Sequence, residues 1–148
     1  MLINTQIDSP HWVIDAVHGH WSSAPPAETA PEAESVSNTL TNGAVIISCS
    51  SCSGGEAVGY IGGPPGGTLT FNNVTSDATT ATTIRIRYAN ADSTPRYATV
   101  TVNGVSHIIA FIPTGSDNTI FDSVLTTPLN EGSNTIEFSA HDGGWGEF

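Results

Sequence analysis

Tyr97-Ala98-Thr99-Val100-Thr101-Val102-Asn103-Gly104-Val105-Ser106-His107-Ile108-Ile109-Ala110-Phe111 reads as two strands and the turn between them. Asn-Gly tolerates positive φ at both central positions, which a tight two-residue hairpin turn requires. Working outward, Thr83-Ile84-Arg85-Ile86-Arg87-Tyr88 and Thr68-Leu69-Thr70-Phe71-Asn72 alternate apolar and polar side chains with period two. That period sends one set of side chains into a core and the other to solvent. Ala44-Val45-Ile46-Ile47, Ala57-Val58-Gly59-Tyr60-Ile61, Ser123-Val124-Leu125 and Asn134-Thr135-Ile136-Glu137-Phe138 are further short strands, with a turn at Asn130-Glu131-Gly132. Short strands at regular spacing, polar turns and no helical periodicity predict an all-β sandwich. His107 opens a strand and reads as an edge or buried histidine, not a catalytic one.

Composition narrows the function. The chain has 148 residues and a formal net charge of -11, from 14 Asp+Glu against 3 Lys+Arg. Nucleic-acid binding needs cations to displace phosphate counterions, and three arginines without a lysine cannot build a basic patch. The same deficit excludes an anionic membrane surface. No apolar run approaches the ~20 residues that a membrane-spanning helix needs. Gly, Pro, Ser, Thr and Asn fill the space that charged residues leave, as in extracellular all-β domains.

The N-terminus has neither a basic nor an apolar leader region and does not read as a signal peptide, so the chain is expected to be either cytosolic or a piece of a longer precursor whose export signal lies elsewhere. Absence of lysine, high Ser/Thr/Gly content and the glycosylation sequon Asn73-Val74-Thr75 favour a secreted chain. Cys49 and Cys52 sit in Ser-Cys-Ser-Ser-Cys-Ser-Gly-Gly. No helix follows to activate a thiol, and no second cysteine pair completes a zinc site. A local structural disulfide is the reading adopted, with free thiols as the alternative. Residues 1–30 differ from the rest: they hold His11, His18, His20, Trp12 and Trp21 and end in a Pro-rich linker. They are expected to be an N-terminal segment left from a preceding domain, with the module proper at 31–148. The C-terminal Gly143-Gly144-Trp145-Gly146-Glu147-Phe148 has no strand after it, so the module is expected to lack its last strand.

Hydrolytic chemistry is poorly served. No Gly-x-Ser-x-Gly elbow occurs, the histidines are mostly N-terminal, and no Gly-rich loop leads into a helix to cradle phosphate. Carboxylates are available for glycoside hydrolysis, but a small sandwich rarely surrounds a sugar with two positioned acids. Sugar recognition suits the residues better: aromatic rings stack on apolar C–H faces, while Asn, Asp and Glu meet hydroxyls. Trp145, flanked by glycines, is a stacking candidate, or a plug at the sandwich end. Tyr60 is a strand-borne candidate whose hydroxyl faces a concave surface, or an ordinary core tyrosine. Glu32-Ala33-Glu34 places two carboxylates on one face of an extended segment, which suits calcium, although spacing alone favours two solvated acids at a strand edge.

Taken in order, Pro31-Glu32-Ala33-Glu34-Ser35, the Cys49–Gly55 stretch, Val58-Gly59-Tyr60-Ile61 and Gly67-Thr68-Leu69-Thr70-Phe71-Asn72-Asn73-Val74 resemble the family 35 carbohydrate-binding modules, relatives of family 6. Arg87-Tyr88-Ala89-Asn90, Val102-Asn103-Gly104 and Leu129-Asn130-Glu131-Gly132-Ser133-Asn134-Thr135-Ile136 continue the resemblance, which runs from about Glu32 to Trp145. It implies a jelly-roll-like β-sandwich of the galactose-binding type, and a structural calcium with Glu32 and Glu34 as ligands. Where related modules often carry Thr-Gly-x-Trp, this chain has Thr114-Gly115-Ser116-Asp117-Asn118, leaving Asp117 and Asn118 as polar sugar contacts. Asn90 and Asp92, after Tyr88, form a second polar pair.

The function expected is non-catalytic binding of a polysaccharide or oligosaccharide, galactose-containing polymers, xylan or mannan among them. The module would target a tethered, secreted glycoside hydrolase to its substrate. The competing expectation is a structural or adhesive sandwich that binds no sugar.

Overall fold

The computed structural model describes residues 12–20, 32–62, 66–116 and 118–141. Ten strands run β1 (Trp12–His20), β2 (Thr39–Thr41), β3 (Val45–Ser48), β4 (Glu56–Gly59), β5 (Thr68–Ser76), β6 (Thr80–Asn90), β7 (Arg96–Val102), β8 (Val105–Phe111), β9 (Phe121–Leu129) and β10 (Gly132–Ala140). They form two five-stranded sheets, ordered β3-β4-β1-β6-β9 and β2-β5-β10-β7-β8. Every strand pairing is antiparallel.

Alternation decides which face each strand buries. In β6, Ile84, Ile86 and Tyr88 are buried and point into the sandwich, whereas Arg85 is exposed and Arg87 half-buried on the opposite face. β5, β7 and β10 answer from the other sheet with Leu69, Phe71, Val100, Val102, Ile136 and Phe138. Rings interlock edge to face, Phe71 on Phe138 with centroids 5.9 Å apart and Tyr88 on Phe111 at 4.8 Å. Such pairs favour this geometry because a ring's positive edge meets its neighbour's negative face.

The hairpin read from Asn103-Gly104 forms as expected. Val102 pairs with Val105, and Asn103 and Gly104 have φ of 50° and 89°. His107 is half-buried in β8, its Nε2 3.4 Å from Thr127 Oγ1 on the other sheet. Pro128 sits in β9, where its missing N–H costs nothing, because among the described residues β9 is an edge strand bonded to β6 alone.

The N-terminal segment departs from expectation. Trp12–His20 is not a tail outside the module but a strand in the middle of the first sheet, between β4 and β6. Ile14 is fully buried in the core. The boundary expected at residues 30 and 31 therefore divides a single sandwich. The physical reason is pairing: with β1 in place, β4 and β6 are bonded on both sides, and neither presents an unpaired edge.

A second, smaller apolar cluster lies on the outer face of the first sheet. Cys49, Cys52, Ala57 and Ala89 are buried there, with Ile47 and Ile120 packed against them. Ala57 and Ala89 point away from the main core, so the 49–55 loop covers what would otherwise be exposed sheet.

Candidate functional site

Three loops meet near one end of the sandwich. Residues 91–95 follow β6, residues 112–120 join β8 to β9, and the 49–55 loop reaches across to them from β3. The Cys49–Cys52 disulfide is formed, with Cα atoms 5.3 Å apart. Ser50 Oγ donates to Asn118 Oδ1 at 3.3 Å, and the Ser51 hydroxyl donates to the Asn118 carbonyl. The Asn118 N–H donates to Ser116 Oγ at 3.1 Å, and Ser116 Oγ lies 2.9 Å from Thr119 Oγ1. Asn118 is thus exposed but held on two sides, as a preorganised polar contact should be.

Asn90 plays a different part from the one expected. It is fully buried. Its Nδ2 donates to Phe111 O at 2.9 Å and Thr94 O at 3.1 Å, and its Oδ1 accepts the Asp92 N–H at 2.9 Å. Its backbone N–H donates to Thr114 Oγ1, and its carbonyl accepts the Thr114 N–H at 2.8 Å. The amide ties the 91–95 loop to the end of β8, and its complete burial keeps it from meeting a sugar. Loop carbonyls inside a fold need donors, and Asn90 supplies them.

Asp92 is also turned inward. Its Oδ2 pairs with the guanidinium of Arg96, and its Oδ1 accepts the Ser93 N–H at 2.8 Å. The Arg96 side chain is only 7% exposed and that of Asp92 25%. A buried guanidinium requires such a counter-charge, so Asp92 serves the scaffold of the loop. Asp117 and Trp145 lie outside the described residues.

Tyr60 is half-buried and sits just past the end of β4, not within it, with φ of 62°. Sequence reading passed over Phe121. It opens β9 directly after the Asn118 loop, is 40% exposed, and meets Tyr88 edge to face at 6.5 Å. An aromatic beginning a strand right after a polar loop was the available signal. Below it, burial raises the pKa of Tyr88, the nearby Asp122 carboxylate adds to the effect, and the phenol O–H donates to Ile112 O at 3.2 Å.

The Glu-x-Glu pair meets the far side of the same 49–55 loop. Ser53 Oγ donates to Glu32 Oε1 at 2.7 Å. A Cβ placed on Gly54 would fall 2.8 Å from Glu34 Oε1 and 3.9 Å from Glu32 Oε1. Both carboxylates therefore converge on a corner that only glycine leaves open, and Gly54 has φ of 72°. No group of three or more His, Cys, Asp or Glu side chains converges among the described residues. Two carboxylates and a hydroxyl around an open corner fit a hard cation, whose other ligands would be backbone oxygens or water.

A family 35 carbohydrate-binding module from Clostridium thermocellum superposes with a TM-score of 0.68 at 34% identity, over 72% of this chain and 82% of that one. The chain belongs to the family 35 carbohydrate-binding modules. It is a non-catalytic carbohydrate-binding module. A second family 35 module from the same organism matches with a TM-score of 0.62 at 25% identity, over 70% of this chain and 80% of that one. An exo-β-1,3-galactanase from Phanerochaete chrysosporium matches at 38% identity and a TM-score of 0.63, over 68% of this chain but only 23% of the galactanase. A family model described as the CBM13-like domain of α-galactosidase covers residues 68–144. The two labels differ; the superposition over most of a family 35 module places the chain there. Among curated proteins none matches.

Proposed function

We propose that this family 35 module takes galactose-containing polysaccharide at the loop end formed by residues 91–95 and 112–120, with the 49–55 loop bracing it. The observation that carries the reading is Asn118, exposed yet fixed by Ser50, Ser51 and Ser116, in the loop that leads into the partly exposed Phe121. A fixed amide offers a donor and an acceptor to vicinal hydroxyls, and a ring edge or face offers an apolar surface to sugar C–H groups. The likeness to a segment of a galactanase supports galactose polymers over xylan or mannan. Weak, reversible binding of this kind raises the local substrate concentration of a tethered catalytic domain, and the module's role is that targeting. A disulfide suits an oxidising compartment, in keeping with a secreted protein.

Calcium belongs to the same reading, with Glu32 and Glu34 as its carboxylate ligands beside Ser53. It would supply positive charge that holds the two carboxylates together. Because Ser53 and Ser51 lie on one short loop, fixing the carboxylate side also fixes the side that grips Asn118.

Affinity electrophoresis of Asn118→Ala and Phe121→Ala in galactan gels tests the site. Retardation should weaken by about tenfold in apparent Kd, or ~1.4 kcal/mol, at unchanged melting temperature. Full retardation of both variants would move the site elsewhere. A wild-type chain that ignores galactan, xylan and mannan alike would favour the adhesive-sandwich reading.

A further inference from the structure

Asn73-Val74-Thr75 is the chain's single Asn-x-Ser/Thr sequence, and sugar binding makes no use of it. It lies on β5. Val74 is fully buried, while Asn73 and Thr75 are exposed. The pairing of β5 with β10 slips at this point: Phe71 faces Ile136 and Val74 faces Asn134, so Asn72 and Asn73 together oppose Thr135. This β-bulge turns the Asn73 side chain outward. Ser133 Oγ donates to Asn73 Oδ1 at 3.0 Å, which fixes the carbonyl side of the amide and leaves Nδ2 toward solvent.

We propose that Asn73 is an N-glycosylation site, carrying an oligosaccharide added as the chain enters a secretory pathway. The donor class is a lipid-pyrophosphate-linked oligosaccharide. Asn73 Nδ2 forms a C–N bond to the anomeric carbon, the C–O bond to the pyrophosphate breaks, and the lipid pyrophosphate leaves with the electron pair. The amide loses one proton to a base of the transferase. Transfer needs only the extended sequon; the fold must then tolerate the product. It does so because the modified atom faces water and no core side chain has to move.

The position also keeps the glycan away from the sugar-binding loops. Asn73 is near the end of β5 where Ser76 pairs with Gly132, whereas the loop end adjoins Ala98 and Ala140 at the opposite end of β10. The modification and the binding site therefore occupy different ends of the sandwich.

The test is secretion of the full chain from yeast behind a cleavable leader, with intact mass measured before and after amidase deglycosylation. The wild-type chain should lose one glycan and show aspartate at position 73. Asn73→Gln and Thr75→Ala should both be secreted at the bare polypeptide mass. Thr75→Ala retains Asn73, so it separates loss of the sequon from loss of the side chain. A secreted wild-type chain at bare mass, or a glycan persisting on Thr75→Ala, would overturn the proposal.

Discussion

The hydroxyl of Ser53 donates to the carboxylate of Glu32 across 2.7 Å, joining the Glu-x-Glu segment to the loop closed by the Cys49–Cys52 disulfide. Gly54 beside it leaves the corner where the Glu32 and Glu34 carboxylates converge. If calcium sits there, EDTA should lower the melting temperature, and restored calcium should raise it again. Ligand at 100 times its Kd stabilises by ~2.7 kcal/mol. Gly54→Ala puts a methyl group against Glu34 Oε1 at a left-handed φ, so it should lose the calcium response as well as some stability. Equal melting curves with EDTA and with calcium would remove Glu32 and Glu34 as ligands.

Asn90→Ala should be among the most damaging single changes at the loop end. It strips a donor from the buried Phe111 carbonyl, and in part-buried positions a donor from the Thr94 carbonyl and an acceptor from the Asp92 N–H. Leaving buried groups unsatisfied costs about 1–3 kcal/mol each. Denaturant melts should show a loss of at least ~2 kcal/mol, with sugar binding falling because the loops lose their tie. Undiminished stability would mean that water replaces the amide.

Reduction of the disulfide should destabilise without unfolding. The closed loop is short, and chain-entropy reasoning gives about 2 kcal/mol. The small cluster of Ala57, Ala89 and Ile120 would lose its cover, while the main core stays intact. Cys49→Ser with Cys52→Ser should therefore keep a β-sheet circular dichroism spectrum, melt earlier and bind sugar more weakly through a looser Asn118.

Tyr88 sets an alkaline limit. Its folded-state pKa lies above the ordinary 10.0, chiefly because burial disfavours the phenolate. The unfolded chain therefore releases this proton first. The stabilisation is complete below pH ~10 and is lost as pH rises through the raised value. Comparing wild type with Tyr88→Phe over the alkaline range should show a steeper loss of stability for wild type. Parallel curves would mean that Tyr88 ionises normally.

Local pattern made much of the fold legible. The alternation of Thr83–Tyr88 is β6, and Asn103-Gly104 is the β7–β8 turn, because both signals are contained within a few residues. β1 was hidden by distance: nothing near Trp12–His20 announces that its partners are Val58 and Gly59 on one side and residues of β6 on the other. Polar loop residues misled for a related reason. Asn90 and Asp92 read as solvent-facing, yet the loops need them for the Phe111 carbonyl and the Arg96 guanidinium, demands that exist only once the chain has folded. Glu32, Glu34 and Asn118 were legible as candidates. Their common support, the 49–55 loop, was not, since its contacts with them span large sequence separations.

The central claim is that this sandwich binds galactose-containing polysaccharide at its loop end. Native affinity electrophoresis of the full chain in gels containing galactan, xylan or mannan, with calcium present, tests it most directly. The account predicts marked retardation on galactan, weakened by free galacto-oligosaccharide and by Asn118→Ala. Migration in all three gels identical to that in a plain gel, by a chain shown to be folded, would contradict it.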